Sequence, residues 1–357
     1  MKKTLRPHPR LFLLFFLLTL ILAACGNGTT ASSNSNDNNS PVTVHLGYFP
    51  NITHAVALVG VAQGTFQKAL GKNQLSTKTF NAGPDLINAL LAGDIDIGYA
   101  GPNPAINGYV KSHGEALRII AGASSGGALL IVRPEANIKS PADLSGKKIA
   151  DPQIGGTQDI SLRHYLQQHN LKSVDKGGTV QIVATDNSNI VTLFSQGQID
   201  GAWVPEPYAS RLVLNAHGKV FVDERTLWPN GKFVTTNVVV RKAFLDQHPT
   251  IVSEFLQAHV DTVQFINSHL DEAKKLVNEQ IQKVPGGKAL SQKLLDQAFS
   301  NLDITYDPLA STLYKAADSA YQLGLLGDSK PDLSHIYSLD ALNSVLAAKG
   351  LQKVATS

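Results

Sequence analysis

Two stretches of the sequence resemble each other at a nearly constant separation of about 104 residues. The segment DLINALLAGDIDIGYAGPNP is matched by SNIVTLFSQGQIDGAWVPEP, in which Gly93 corresponds to Gly197 and Asp96 to Asp200. The earlier segment VHLGYFPNITHAVALVG is matched by KKIADPQIGGTQDISLRHYL at almost the same separation. Repetition of two segments at one separation predicts two units of similar topology.

Within each unit, short apolar strands alternate with amphipathic helices, which predicts an α/β architecture with largely parallel sheets. We expect strands at 42–48, 76–80, 95–99, 118–123, 128–133 and 237–241. Helices are expected at 55–70, 85–91, 290–299, 309–323 and 339–349, and Pro249 is well placed to begin another.

The two units predict two lobes with a cleft between them. We expect lobe 1 to comprise 41–131 and 236–350 and lobe 2 to comprise 132–235, with crossings near 131–134 and 233–237 acting as a hinge. Because ligands of open α/β sheets lie beyond the C-terminal ends of the strands, the predicted cleft is lined by the loops 49–54, 82–84, 101–103, 124–127, 151–158, 185–189 and 204–207.

The N-terminus has the layout of a secretory signal peptide at 1–24, with a basic start, an apolar run at 11–22 and the sequence LAAC. Cys25 is the only cysteine and is predicted to be lipidated, and the Gly-, Asn- and Ser-rich segment 25–40 is predicted to be a flexible tether. Four basic and no acidic residues lie in the signal, so without it the formal charge of +3 becomes nearly neutral. Near neutrality argues against a nucleic-acid partner.

Several motifs together resemble the periplasmic-binding-protein fold of ABC importers, in the branch that includes aliphatic sulfonate, taurine and nitrate binders. They are the signal and lipobox, GYFPNITHAVALVG, NAGPDLINALLAGDIDIGYAGPNPAI, GASSGG and DGAWVPEPYASRLV. The resemblance implies a two-lobed α/β fold that closes on a small anionic solute and works with a membrane permease and ATPase subunits. It implies an extracytoplasmic protein, anchored through its lipid on the periplasmic side or the outer face of the cell membrane.

The cleft loops are rich in neutral hydrogen-bond donors and poor in Lys and Arg, which favours a diffuse anion held at helix N-termini. An aliphatic or aryl sulfonate is the expected ligand, with nitrate, taurine or a pyrimidine precursor of thiamine as alternatives. Thr53 and Thr157 either cap helices or turn a hydroxyl to the ligand. The candidate ligand-binding residues are Asn51, Thr53, His54, Gly83, Gly101, Pro102, Asn103, Ser124, Ser125, Gly156, Thr157, Gln158, Asn187, Trp203 and Glu206.

Three of these side chains have open alternatives. Trp203, together with Tyr99, forms either an apolar wall for a ligand tail or part of the core. Glu206 either faces the hinge, holds an amino group of a zwitterionic ligand, or bonds a backbone donor. His54 either donates to the anion or is structural.

An enzyme on the same fold is the alternative from a different class. Residues 122–126 fit G-x-S-x-G, but a nucleophile elbow needs a helix after the serine, and an apolar strand is expected there instead. The histidines show no H-E-x-x-H motif and form no Cys/His cluster, so the sequence indicates neither a metal site nor a cofactor.

Overall fold

The computed structural model of the protein describes residues 40–356. The predicted signal peptide, Cys25 and the tether up to residue 39 lie outside the described residues. From Pro41 onward the chain forms one compact unit. Within 40–356, no helix has both the length and the apolarity needed to cross a membrane.

The described strands are β1 (Thr43–Tyr48), β2 (Gln74–Thr79), β3 (Ile97–Ala100), β4 (Leu117–Gly126), β5 (Ala128–Val132), β6 (Lys148–Asp151), β7 (Gln181–Ala184), β8 (Gly201–Pro205), β9 (Lys219–Asp223), β10 (Val234–Arg241) and β11 (Leu302–Ile304). The α-helices are α1 (Ala55–Ala62), α2 (Thr65–Ala69), α3 (Gly83–Ala92), α4 (Pro102–Lys111), α5 (Thr157–Gln168), α6 (Asn187–Ser195), α7 (Tyr208–Ala216), α8 (Lys242–Gln247), α9 (Pro249–Ser268), α10 (Leu270–Lys283), α11 (Gln292–Ser300), α12 (Ala310–Gln322) and α13 (Asp340–Ala348).

These strands form two sheets, and each sheet with its helices is called a lobe here. Lobe 1 is built on six strands in the order β11-β4-β10-β3-β1-β2, and lobe 2 on five strands in the order β7-β6-β8-β5-β9. In each sheet three parallel strands, β2-β1-β3 or β7-β6-β8, are followed by one antiparallel strand, β10 or β5. The two sheets therefore repeat one strand order, as the internal sequence match predicts.

The repeated aspartates have the same structural role in both lobes. Asp96 Oδ2 accepts the backbone N–H of His45 at 3.0 Å, and Asp200 Oδ2 accepts that of Lys148 at 2.8 Å. The backbone N–H of each aspartate donates back to the same partner residue at 2.8 Å. Each aspartate thus ties the chain entering β3 or β8 to the start of β1 or β6, which explains its recurrence.

Helices cover both faces of the lobe 1 sheet. The α1 helix is buried along most of its length and packs against α9 and α10, which explains why it is apolar on all sides. The opposite face carries α3, α4 and α12. In lobe 2, α5 covers one face, while α6 and α7 cover the other.

The structure differs from the expected lobe boundary at one strand. We expected residues 128–131 in lobe 1, but β5 pairs with β8 and β9 in the lobe 2 sheet. The first crossing is therefore at Gly126–Gly127 and not near 131–134, and the second lies between β9 and β10. A short apolar strand gives no local sign of which sheet it will join, because pairing depends on distant partners.

Glycine is required at the first crossing. Gly126 and Gly127 both have positive φ, at 78° and 76°. A Cβ on Gly126 would come within 2.8 Å of the Asn301 carbonyl oxygen. Two consecutive left-handed residues turn the chain sharply between β4 and β5, which only glycine does without strain.

Two helical expectations also need correction. The single helix expected at 55–70 is divided into α1 and α2, because Gly64 adopts a left-handed conformation at φ 68°. Helix α4 begins immediately at Pro102, where a loop was expected. Proline suits the first turn of a helix because its missing N–H has no intrahelical partner there.

Candidate functional site

A small cavity of about 30 Å³ lies between the two lobes. Its walls are the loops after β1, β2 and β3 of lobe 1 and the loop after β6 with the start of α6 in lobe 2. These are C-terminal ends of parallel strands in both sheets, which is where α/β folds place ligands. The volume exceeds that of one water and suits a small ionic head group.

Three helices begin at this cavity. The lining includes Gly83 of α3, Thr157 of α5 and Asn187 of α6, each the first residue of its helix. The first N–H groups of a helix have no intrahelical acceptor, and the helix dipole makes its N-terminus favourable for negative charge. The cavity therefore has backbone donors from both lobes, directed by helix starts.

Polar side-chain atoms without protein partners surround the same space. Thr157 Oγ1, Asn187 Oδ1 and Gln153 Oε1 are buried and have no hydrogen-bond partner among residues 40–356. The N-cap of α5 is Gly156, so the Thr157 hydroxyl does not cap the helix. An unpaired buried polar group costs about 1–3 kcal/mol, so these atoms mark a place where a ligand would supply the missing bonds.

His54 presents a neutral donor to the cavity. Its Nδ1 accepts the backbone N–H of Phe49 at 3.2 Å, which leaves the proton on Nε2. Burial lowers the pKa of His54 to about 3, so the imidazole is uncharged near neutral pH. His54 can therefore donate one hydrogen bond but brings no positive charge.

The remaining polar residues of the loop after β1 support its shape. The Thr53 hydroxyl donates to Asn51 Oδ1 at 2.9 Å, and the Thr53 carbonyl accepts the Ser124 hydroxyl at 2.8 Å. Thr53 and Asn51 line the cavity, whereas Ser124 has no exposed surface. Ser124 thus fixes the loop from beneath.

The cavity lining contains no Lys, Arg, Asp or Glu among the described residues. Neutral donors at helix N-termini can hold an anion without a counter-charge. Burial of more than one negative charge would be costly in such a site, because isolated charges are strongly disfavoured away from water. The arrangement therefore suits a singly charged, diffuse oxyanion.

Direct contacts between the lobes close the cavity. Gln153 Nε2 of lobe 2 donates to Asp85 Oδ1 of α3 at 3.0 Å, and Asp85 is exposed. Gly101 of lobe 1 lies so close to Thr157 that a Cβ on Gly101 would collide with the Thr157 hydroxyl. The structure is thus a closed form, with the lobes in contact around the cavity.

The structure brings most of the expected site residues together. Nine of the fifteen line the small cavity, namely Asn51, Thr53, His54, Gly83, Gly101, Gly156, Thr157, Gln158 and Asn187. Pro102 and Asn103 instead line a second, larger cavity between the lobes. Ser124, Ser125, Trp203 and Glu206 line neither of these two cavities.

Glu206 belongs to the connection between the lobes. Its carboxylate accepts the backbone N–H and hydroxyl of Ser210, and Asn301 Nδ2 from the lobe 1 side at 2.7 Å. Its backbone carbonyl accepts the Ile52 N–H of lobe 1 at 3.1 Å. Of the three alternatives for Glu206, these contacts agree with two: its carboxylate accepts a backbone N–H, and the residue lies where the lobes connect.

Trp203 and Tyr99 are core residues. Neither has any exposed surface. Trp203 Nε1 donates to Glu224 at 2.8 Å, and the Tyr99 hydroxyl bonds His259 Nδ1 at 2.8 Å. Both β3 and β8 are buried on both faces, so alternation in the sequence does not indicate which side chains face the cleft.

Three lining residues were outside the loops that we expected to form the cleft: Asn81, Pro104 and Thr235. Asn81 directly follows the expected strand at 76–80, so the expectation that ligands lie beyond the C-terminal ends of strands applies to it as well. Thr235 follows the second crossing, where the sequence gives no separate signal for a ligand contact.

The G-x-S-x-G match does not form a nucleophile elbow. Gly122 to Gly126 are all within β4, and Ser125 Oγ accepts the Phe233 backbone N–H. Within residues 40–356, no three His, Cys, Asp or Glu side chains are placed to hold one metal ion.

Comparisons with known proteins agree with this architecture. The taurine-binding periplasmic protein of Escherichia coli K12 is 31% identical over 208 residues, which cover 58% of this chain and 62% of that protein. The matched region thus spans less than two thirds of that relative's length.

Two solved structures share the fold. The alkanesulfonate-binding protein of Xanthomonas axonopodis pv. citri bound to MOPS matches with a TM-score of 0.67 and 17% identity, over 81% of this chain and 95% of that one. The periplasmic nitrate-binding protein of Synechocystis PCC 6803 matches with a TM-score of 0.69 and 15% identity, over 86% and 89%. The two-lobed α/β fold is therefore shared with binding proteins.

The model of the NMT1-like family matches residues 37–281, which is more than half of the chain. This region contains all the residues that line the small cavity. The chain therefore belongs to the NMT1-like family.

Proposed function

We propose that this protein is the solute-binding subunit of an ABC importer, which captures a small oxyanion between its lobes and delivers it to a membrane permease. An aliphatic or aryl sulfonate is the ligand that we favour. The protein acts outside the cytoplasm and is held at the membrane by a lipid on Cys25. Capture requires the lobes to close by bending at the two crossings, which is a common motion of such folds.

The observation that carries this proposal is the convergence of α3, α5 and α6 on one cavity that has neutral donors and unpaired polar atoms. Donors from both lobes support binding by closure, because the complete set forms only when the lobes meet. A ligand that bonds both lobes stabilises the closed form by its differential affinity for that form.

The charge of the site supports a sulfonate over a phosphate. A sulfonate carries one negative charge spread over three oxygens, whereas phosphate is partly dianionic near neutral pH. With no basic residue in the lining among residues 40–356, the second charge would be uncompensated. The names of the relatives, which bind taurine, an alkanesulfonate or nitrate, support the same class.

A thermal-shift screen of the full-length protein in detergent tests the ligand class. Methanesulfonate, taurine, nitrate, sulfate, bicarbonate and an aminopyrimidine are compared, each over a range of concentrations. A ligand at 100 times its Kd stabilises the folded state by about 2.7 kcal/mol. Stabilisation by methanesulfonate or taurine supports the proposal, whereas stabilisation by the aminopyrimidine alone contradicts the oxyanion assignment.

Replacement of Cys25 tests the anchor separately. In the Cys25→Ser variant the lipidated thiol is absent, so a chain that has lost residues 1–24 should leave the membrane fraction and appear in the soluble fraction. Mass spectrometry checks that the apolar segment 11–22 has been removed, and continued membrane association of this cleaved variant in high salt would contradict lipid anchoring. Ligand binding by the variant should be unchanged, because the residues that line the small cavity begin at Phe49.

A further inference from the structure

A second cavity between the lobes is far larger than the first, at about 400 Å³. Lobe 2 contributes α5 and the 3₁₀ segments Glu224–Leu227 and Pro229–Gly231, and lobe 1 contributes α12 and the start of α4. Small-molecule sites in proteins usually measure about 300–1,000 Å³. The cavity therefore has room for a ring system, whereas the first cavity holds only a head group.

The two cavities adjoin at one pair of residues. Thr157 lines both of them, and Gly101 lines the first while the next residues, Pro102 and Asn103, line the second. The close contact between Gly101 and Thr157 is therefore the partition between the two spaces. A ligand that passes beside Thr157 would occupy both spaces.

Aromatic and aliphatic side chains dominate one wall of the second cavity. The rings of Trp228 and Phe233 are stacked with centroids 5.5 Å apart and an interplanar angle of 12°. Ile160 and Tyr165 of α5 continue this wall. The Trp228 side chain hydrogen-bonds Glu224, and Phe233 beneath it is 2% exposed. Trp228 itself is half-buried, so the open part of its ring is what a ligand ring would contact.

The polar groups of the second cavity make it a poor site for an anionic head. Glu224 is 2% exposed, and its oxygens accept the Ser161 hydroxyl and Trp203 Nε1, both at 2.8 Å. Burial raises the pKa of Glu224 to about 7, so the carboxyl is partly ionised near neutral pH. On the opposite wall, Asp318 of α12 is paired with Lys330 at 2.7 Å, and Lys315 also lines the cavity. The head group is placed in the first cavity because Glu224 disfavours a negative charge beside it and because the unpaired polar atoms and helix starts lie at the first cavity.

We propose that the two cavities form a single site for a sulfonate that carries an aromatic ring, with the sulfonate in the first cavity and the ring against Trp228 and Phe233. This assignment rests on the proposed function and narrows its ligand class. Small solutes such as nitrate or taurine would use the first cavity alone and leave about 400 Å³ unfilled. An aryl sulfonate uses both and lies alongside Thr157.

Calorimetric titration of the full-length protein in detergent with two sulfonates tests the assignment. Methanesulfonate probes the first cavity, and naphthalene-2-sulfonate probes both. Burial of a ring beside two aromatic side chains should make the naphthalene compound bind at least about tenfold more tightly. Equal affinities would overturn the two-cavity site while leaving the oxyanion function intact.

Variants of Trp228 test whether the ring of the ligand contacts this side chain. Trp228→Ala should weaken naphthalene-2-sulfonate at least about tenfold and change methanesulfonate less than about twofold. Trp228→Phe should restore most of the lost affinity, and Val220→Ala, at an exposed position of lobe 2, is the matched control. An equal loss for both ligands in Trp228→Ala would overturn the assignment, since Trp228 would then act on the fold.

Absence of the proposed oxyanion binding gives a result that differs from absence of the ring contact alone. If neither sulfonate binds to the unmodified protein, the oxyanion proposal fails and the ring assignment fails with it. If naphthalene-2-sulfonate and 2-naphthol bind equally well, the ring site exists without an anion site, and the assignment of one bridging ligand is overturned.

Discussion

The contact between Gly101 and Thr157 yields the sharpest test of closure. Gly101 belongs to lobe 1 and Thr157 to lobe 2. In a Gly101→Ala variant the new Cβ would collide with Thr157 Oγ1 and lie 3.3 Å from Thr157 Cβ and 3.5 Å from the Thr235 carbonyl oxygen. The backbone of Gly101 has φ −67°, which alanine adopts freely, so the effect arises from the contact and not from backbone strain.

The expected magnitude follows from two ways to relieve this collision. Either the lobes remain slightly apart, or the Thr157 hydroxyl rotates away from the cavity, and both remove donors from the ligand. Overpacking of a close contact typically costs about 1–3 kcal/mol. If the whole of this cost destabilises the closed, liganded form, the Kd rises by about fivefold to about 150-fold.

Titration calorimetry with methanesulfonate measures this loss, and thermal unfolding without ligand measures stability. A double-mutant cycle with Thr157→Ala isolates the contact, because alanine at 157 makes room for the Cβ at 101. Gly101→Ala should then cost much less affinity in the Thr157→Ala background than alone. Strictly additive penalties, or an unchanged Kd for Gly101→Ala, would refute the argument that closure depends on this contact.

Four further outcomes are expected. Thr157→Val should weaken methanesulfonate binding about tenfold without loss of stability, because the hydroxyl that it removes is buried without a partner among residues 40–356. Calorimetry measures the affinity and thermal unfolding the stability. Unchanged affinity would contradict this prediction. Gln153→Ala should speed ligand release a few-fold in stopped-flow experiments, since it removes an exposed inter-lobe hydrogen bond, whereas Gln198→Ala, on an exposed turn of lobe 2, should not. Because the pKa of His54 is about 3, methanesulfonate affinity should not fall as an imidazole loses its charge near pH 6.5. Burial raises the pKa of the neighbouring Asp151 to about 7, so only a decline near pH 6.5 that disappears in a His54→Gln variant would show a charged His54. The raised pKa of Glu224 contributes stability that is complete below its usual pKa of 4.5 and is lost as pH rises through about 7, so Glu224→Gln should reduce the fall in melting temperature across that range.

The repeat in the sequence predicts more of this fold than any single strand or helix does. Gly93 and Gly197 mark equivalent turns, with φ of 83° and 73°, and each precedes an aspartate with the same bonds. These features are local to one helix, turn and strand, so the sequence records them directly. The loops after the repeated strands then identify most of the small cavity.

The sequence does not indicate which strand a given strand pairs with, or which way a buried side chain points. The sequence of β5 is uniformly apolar, and nothing within it distinguishes pairing with β4 from pairing with β8. Trp203 likewise has buried neighbours on both sides. Trp228, which we propose to contact the ligand ring, is absent from the candidates named from the sequence because it lies in an irregular segment; an apolar ring beside Pro229 and near a crossing is a usable signal.

On the proposed function, the exchange of strands between the two sequence repeats explains how closure of the lobes would form an anion site. Strand β5 follows the strands of the first sequence repeat but joins the sheet of lobe 2, and β10 follows those of the second repeat but joins the sheet of lobe 1. Both crossings are therefore held by a sheet at each end. The Thr235 hydroxyl donates to the Gly126 carbonyl and Ser125 Oγ accepts the Phe233 N–H, so the two crossings lie side by side. Two adjacent connections of this kind would restrict the proposed closing motion to bending about one axis.

In the proposed closing motion, bending about that axis brings the start of α3 toward the starts of α5 and α6. In an open form each lobe would present only its own helix N-termini to water, and each would attract an anion weakly because water screens the dipole. Closure removes water and combines the two sets, which strengthens every hydrogen bond to the anion in the less polar interior. On this proposal, discrimination for an anion resides in the closed arrangement, and we expect contacts such as Gly101 with Thr157 to affect affinity although neither residue is charged.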